Sequence, residues 1–302
     1  MNKQKMLATL QQSFMVKRYK AQEICEEFIS GLRQDEEFNE LYSNLTRKQL
    51  DYSKAELNEE ILALKHDIDD LKLQINYYLV KNNIDKSKLT PNYDCKTCND
   101  TGVAGGRICK CLSNALNLKM SQQLSSTREF KCFDNCDKSI MNEQDIKTCD
   151  WLKAWCLRYP NITKTNINII GGAGVGKTFL LECVANELIN KNVVVCYKTA
   201  FELNELARLY HVGKSYEFSD CLNADVLLID DLGTEPVLKN VTKEYFYNII
   251  NVRQLNNRPT FITTNLSLEN ILDRYDERIF SRLGNKNLAI NIIVSSKDKR
   301  IK

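Results

Sequence analysis

Residues 164–302 predict an α/β fold, a parallel sheet flanked by helices, preceded by a helical region and a cysteine-rich module. Three observations carry this. From Thr165 onward, short Val/Ile/Leu-rich segments alternate with helical ones, the signature of a parallel sheet buried on both faces. The first of these apolar segments runs straight into the glycine-rich stretch GGAGVGKT. A second, DVLLIDD, has an apolar centre and acids at its carboxyl end.

The elements follow in order. Strands are expected at Asn166–Ile170, Val193–Thr199, Asp225–Asp231, Thr260–Asn265 and Leu288–Val294. Helices are expected at Thr178–Asn190, Ala200–Val212, Val241–Leu255 and Leu268–Tyr275. Upstream, residues 1–90 are poor in glycine, lack proline and are rich in Lys, Glu, Gln and Leu, which favours helix. There Leu57, Ile61, Leu64, Ile68, Leu71, Ile75 and Tyr78 are spaced 4-3-4-3-4-3. That seam fits either an intrachain hairpin with a helix over 15–45 or an apolar face offered to another chain. Residues 91–112 form the cysteine-rich module and 113–163 a helix-like connector.

The chemistry begins at Gly171, Gly172, Ala173, Gly174, Val175, Gly176, Lys177 and Thr178, which match G-x-x-x-x-G-K-[ST] between a predicted strand and a predicted helix. In that context the backbone N–H groups and the helix N-terminus face phosphate oxygens. Lys177 then reaches the β- and γ-phosphates of ATP, and the Thr178 hydroxyl holds Mg²⁺. Asp230 ends its strand at the edge where the loop lies and is the second expected contact to Mg²⁺. Asp231 is expected to polarise the attacking water. At the end of PTFITTN, Asn265 can orient water, although strand ends are often polar for no catalytic reason. In DERIFSRL, Arg278 and Arg282 are four apart and share a face if helical. They are either a solvated pair or a source of positive charge for a neighbouring subunit's site.

Twelve cysteines are many for a chain with no apparent secretory signal. Cys95-x-x-Cys98, ten further residues and Cys109-x-Cys111 supply four thiolates for Zn²⁺. Cys132 or Cys136 is an alternative for one ligand, and redox use of the C-x-x-C pair lacks the expected strand–helix context. The scattered Cys25, Cys183, Cys196 and Cys221 are expected as small buried apolar residues.

The charge balance of 42 basic against 39 acidic residues excludes DNA binding by bulk charge alone and leaves a local patch. No apolar run has membrane-spanning length and the N-terminus has no signal-peptide core, so the expectation is a cytoplasmic protein with no membrane partner.

The order GGAGVGKT, LLIDDLGTEP, NRPTFITTNLS, ERIFSRL resembles the DnaC/IstB/DnaI group of AAA+ ATPases, relatives of the DnaA initiator, over about residues 130–302. The resemblance implies Asn265 as the sensor-1 residue and Arg282, with Arg278 second, as the arginine finger. It also implies ATP-dependent self-assembly and contact with single-stranded DNA, around Phe201–Tyr210 with Arg208, Lys214 and Lys239. Only 19 residues follow Leu283, too few for the full helical lid of many AAA+ proteins, which leaves Arg300 as a candidate substitute. YDCKTCNDTG with GRICKCL resembles the zinc module of DnaC-type loaders, which implies a replicative hexameric DNA helicase as partner. A transposition-regulator ATPase of IstB type is the alternative, and a scaffold with a vestigial site is a third.

Overall fold

The computed structural model describes residues 3–125, 129–136, 139 and 141–295, so Arg300 lies outside the described residues. The chain divides into two compact units, 1–113 and 114–302. Among the described residues, no helix is long and apolar enough to cross a membrane.

The first unit holds helices α1 (Lys3–Leu32), α2 (Glu36–Lys54) and α3 (Asn58–Lys81), then the two-stranded ribbon β1 (Val103–Ala104) and β2 (Arg107–Ile108). The expected single helix over 15–45 is corrected by a break at 33–35. There the Asp35 carboxylate accepts from the Phe38 amide and starts a new helix. It is α2 that pairs with α3, and Phe38 stacks on Tyr42 and meets Tyr78 in their core. The seam is thereby mostly consumed within the chain: Leu64, Ile68, Ile75 and Tyr78 are buried. Leu57, at its head, is 71% exposed because it precedes the helix as its N-cap residue.

The second unit is a five-stranded parallel sheet. Helix α4 (Lys110–Leu124) enters it, followed by α5 (Glu143–Arg158), β3 (Asn166–Gly171) and α6 (Lys177–Asn190). Then come β4 (Val195–Thr199), α7 (Ala200–His211), α8 (Glu217–Asn223), β5 (Val226–Leu232) and α9 (Thr242–Leu255). The unit ends with β6 (Thr260–Thr264), α10 (Leu268–Arg274), α11 (Glu277–Gly284) and β7 (Ala289–Val294). The strand order is β4-β5-β6-β3-β7, which puts the phosphate-loop strand β3 beside β6 and two strands from β5.

Side-chain alternation feeds two cores. Ile167, Ile169, Val195, Leu228 and Phe261 pack with α5 and α6 on one face. Cys196, Leu227, Ile229 and Ile262 pack with α7, α9, α10 and α11 on the other. The connector contributes Leu152, Trp155 and Cys156 to the first of these cores. Ser121 and Ser125 donate their hydroxyls to the carbonyls of Val193 and Val195. Cys25, Cys183, Cys196 and Cys221 are buried, and Cys196 Sγ meets Cys221 Sγ at 3.4 Å across the core. Helix α8 has no counterpart among the expected elements, because seven residues are too few to show a helical period.

Candidate functional site

A cavity of about 460 Å³ opens where β3, β5 and β6 end. Its lining includes Ala173–Leu180, Asp231 and Asn265, and on the other side Cys136, Met141 and Asp145. The loop after β3 turns through Gly174 and Gly176, whose φ angles of 75° and 98° lie in the left-handed region that suits glycine. Gly176 is the N-cap of α6, so the first amides of that helix face the cavity.

Lys177 is only 5% exposed. Its Nζ donates to the carbonyls of Gly171 (2.9 Å) and Gly172 (2.6 Å) and to Asn265 Oδ1 (2.5 Å). The structure therefore joins two predicted residues 88 positions apart. It also joins Thr178 to Asp230, the hydroxyl donating to Oδ1 at 3.2 Å. Both groups are hard oxygen donors, and together they fit the one-hydroxyl, one-carboxylate set that Mg²⁺ takes beside phosphate.

Two supports of Asp230 are not among the expected site residues. Tyr197 donates its phenol to Oδ2 at 2.8 Å, and Thr263 donates its hydroxyl to Oδ1 at 2.5 Å. Tyr197 comes from the neighbouring β4, and only the register of a parallel sheet reveals it. Thr263, two residues before Asn265, reads in sequence as an ordinary β-branched strand residue.

Adjacent residues of a strand point to opposite faces. Asp230 and Asp231 nonetheless serve one site because β5 is bulged. Ile229 pairs with Ile262 and Leu232 with Thr264, so β5 carries one extra residue there. Asp231 takes the left-handed conformation, φ 56°, uncommon for a residue other than glycine. Its amide donates to Thr263 Oγ1 at 2.8 Å. The bulge keeps Asp230 buried under Thr178 and turns Asp231 to the cavity.

Helix α11 carries the arginines, and both guanidiniums sit over the Tyr247 ring, at 4.9 Å for Arg278 and 4.5 Å for Arg282. They do share a face. Arg278 also pairs with Asp276 at 3.0 Å, and Arg282 is held by Asn251 Oδ1 (2.7 Å) and the Tyr247 hydroxyl (3.1 Å). Arg208 is engaged by Glu205, whereas Lys214 and Lys239 are exposed.

In the first unit, the sulfurs of Cys95, Cys98, Cys109 and Cys111 lie within 4.8 Å of one another. Cys95 and Cys109 are 3.9 Å apart, Cys98 and Cys111 3.5 Å. A tetrahedral zinc site with Zn–S near 2.3 Å has S···S edges of about 3.8 Å, so the donor set fits. The knuckle is prebuilt: the Asp100 carboxylate accepts the amides of Asp94 and Cys95, both at 2.8 Å. Gly102, φ 73°, admits Leu112 where a Cβ would lie 2.7 Å from its Cδ2. Amides of Cys98 and Thr97 hold the Cys95 thiol down at about 6, while burial pushes Cys111 up. Cys136 instead meets Cys149 (3.6 Å) and Met141 (3.2 Å), and Cys132 bonds Asn135. Neither belongs to the four-sulfur set, which corrects the alternative ligand reading.

The expected outcome for this module is one zinc per chain through gel filtration, lost on Cys98→Ser. A structural zinc contributes folding energy directly, so the variant should melt the first unit early. Metal below about 0.2 per chain in the intact protein would contradict the assignment.

The family described as IstB-like ATP binding protein matches residues 109–282, more than half of the chain. The phage-like element PBSX protein XkdC of Bacillus subtilis is 27% identical over 216 residues, 63% of this chain and 78% of that protein. The chromosomal replication initiator DnaA of Streptococcus agalactiae is 30% identical over 149 residues, 47% of this chain but only 32% of DnaA's length. Among solved structures, DnaI (26% identity, TM-score 0.46) covers 56% of this chain with 90% of its own. The DnaC helicase loader (24% identity, TM-score 0.48) covers 54% with 96% of its own.

Proposed function

Since the chain belongs to the family of IstB-like ATP binding proteins, and is an ATPase on that membership, we propose that it is an AAA+ helicase loader of DNA replication. In this reading residues 1–112 grip the replicative hexameric helicase. The ATPase unit assembles with ATP, engages single-stranded DNA and hydrolyses ATP at subunit boundaries. The observation that carries the reading is the pairing, on one chain, of an ATP site with a four-thiolate module and its helical extension.

The residues divide the work as follows. Loop amides and Lys177 bind the β- and γ-phosphates, while Thr178 and Asp230 hold Mg²⁺. Magnesium, when bound, neutralises charge on the phosphate oxygens. Asp231 accepts the proton of the attacking water, and Asn265, released from Lys177 by phosphate, orients that water. Arg282, with Arg278 beside it, leaves its Tyr247 platform to meet a neighbour's γ-phosphate. Single-stranded DNA is met by exposed Phe201 and Tyr216 as stacking surfaces, with Lys214 and Lys239 against phosphates.

Asp231→Asn should bind ATP within about threefold of wild type yet turn over about 10²–10⁴-fold more slowly, the usual worth of general-base catalysis. Parallel loss of affinity would remove Asp231 from that role. For the partner, the full chain is mixed with its host's replicative helicase, and complex mass is measured with and without ATP. A stable complex is expected; its absence in both conditions defeats the loader reading. Membership of an IstB-like family favours a second reading, a transposition-regulator ATPase. Coating of duplex DNA without helicase binding would select it.

A further inference from the structure

We propose that Glu235 is a positioning residue: it fixes the arginine-bearing helix α11 to the loop that follows the acid pair. The idea rests on the reading of Arg282 as acting at a neighbouring subunit's site. Glu235 lies four residues beyond Asp231, within the LLIDDLGTEP block, and is not among the expected site residues. It is 1% exposed. Its Oε2 accepts the amide of Gly233 at 2.9 Å, inside the turn that leaves β5. Its Oε1 accepts the phenol of Tyr275, and Arg274 lies 3.8 Å away and donates to the Glu235 carbonyl oxygen. Burial, reinforced by the Glu235 charge, pushes the Tyr275 phenol far up, so it stays a donor.

Arg274 and Tyr275 directly precede Asp276, whose carboxylate starts α11 by accepting the Ile279 amide at 3.0 Å. The other end of α11 is tied as well. Asn168, on the strand that becomes the phosphate loop, donates its amide to the Leu283 carbonyl at 2.8 Å. Helix α11 is thus fixed at its start to the Asp231 turn and at its end to β3. Two of its eight residues are the arginines. Burying a carboxylate costs free energy that an apolar pair would not. A stabilising role alone therefore gives a weak reason for Glu235, whereas its bonds to both ends of the connection give a specific one.

The test separates donor from acceptor. A donor chain carrying Lys177→Ala is mixed with an acceptor chain carrying Arg282→Ala, and steady-state ATP hydrolysis is read. Each chain should be inactive alone, and the mixture should regain activity. Adding Glu235→Gln to the donor should cut the regained rate at least tenfold. Adding it to the acceptor should leave at least half of that rate and the same KM for ATP. Tyr275→Phe, which removes one hydroxyl, should show the same donor-only defect and serves if Glu235→Gln folds poorly. A defect confined to the acceptor, or none in the donor, overturns the Glu235 proposal. If the parental mixture regains nothing, the subunit-boundary reading itself fails, and the proposal with it.

Discussion

Lys177→Ala should bring ATP binding below detection at micromolar nucleotide, in a chain that remains folded. The ammonium already points its donors across the mouth of the loop, onto Gly171, Gly172 and Asn265. Phosphate oxygens compete with those neutral acceptors as stronger, charged partners. Removing one partner of a desolvated charge pair costs about 2–5 kcal/mol. At about 1.4 kcal/mol per tenfold, that is roughly 30-fold to several thousand-fold in affinity. Stability should change little, because alanine is a better helix former than lysine and the ammonium's bonds to Gly171, Gly172 and Asn265 reach a loop and a strand end. Titration with a fluorescent ATP analogue checks it, with circular dichroism on the same sample. Equal affinity in the two proteins would overturn the site.

The second large effect is expected far from the cavity, at Arg253. This residue is fully buried in α9, where its guanidinium is spent on backbone carbonyls. It donates to Cys221, Leu222 and Ala224 through one nitrogen, and to Asp225 and Pro259 through the other. Nε adds the Thr260 hydroxyl at 3.1 Å. One side chain thus gathers the end of α8 and the entries of β5 and β6. Burial pulls the guanidinium down to about 10, which leaves it charged at neutral pH. Arg253→Met fills part of the volume but takes the guanidinium from five carbonyls, of which Leu222 keeps Arg258 Nη1 and Pro259 keeps the Leu227 amide. The expected loss is about 3–5 kcal/mol, the cost of breaking a buried charged network. For a unit of this size that corresponds to a melting temperature lower by about 6–20 °C. A change within about 1 kcal/mol in denaturant titration would show that water replaces the donor.

Much of the site is legible because its residues are local in sequence. GGAGVGKT must curl where glycines allow it, and DVLLIDD must end a buried strand with acids. The four cysteines announce themselves by spacing, and the ten residues between the pairs already contain the turn. Less legible are contacts made by register. Tyr197 and Thr263 brace Asp230 from two different strands, and pairing between parallel strands leaves no mark in a single sequence. The hairpin partner of α3 differs from the expected helix for a related reason. A capping aspartate at Asp35 outweighs continuous helical composition across 15–45.

By itself, then, the sequence determined the kind of chemistry: a phosphate loop, an acid pair, two arginines at helical spacing and a thiolate quartet. Each is set by spacings of a few residues, over which backbone geometry is nearly fixed by chain connectivity. Tertiary structure alone decided how those pieces cooperate. Asp231 faces the cavity while its neighbour Asp230 stays buried under Thr178 only because a bulge adds a residue to β5. Lys177 reaches Asn265 only because β6 lies beside β3. Glu235 ties the acid turn to the arginine helix only because the chain returns there forty residues later. Such contacts depend on which strands become neighbours, a choice made by burial of the whole sheet and not by any short segment.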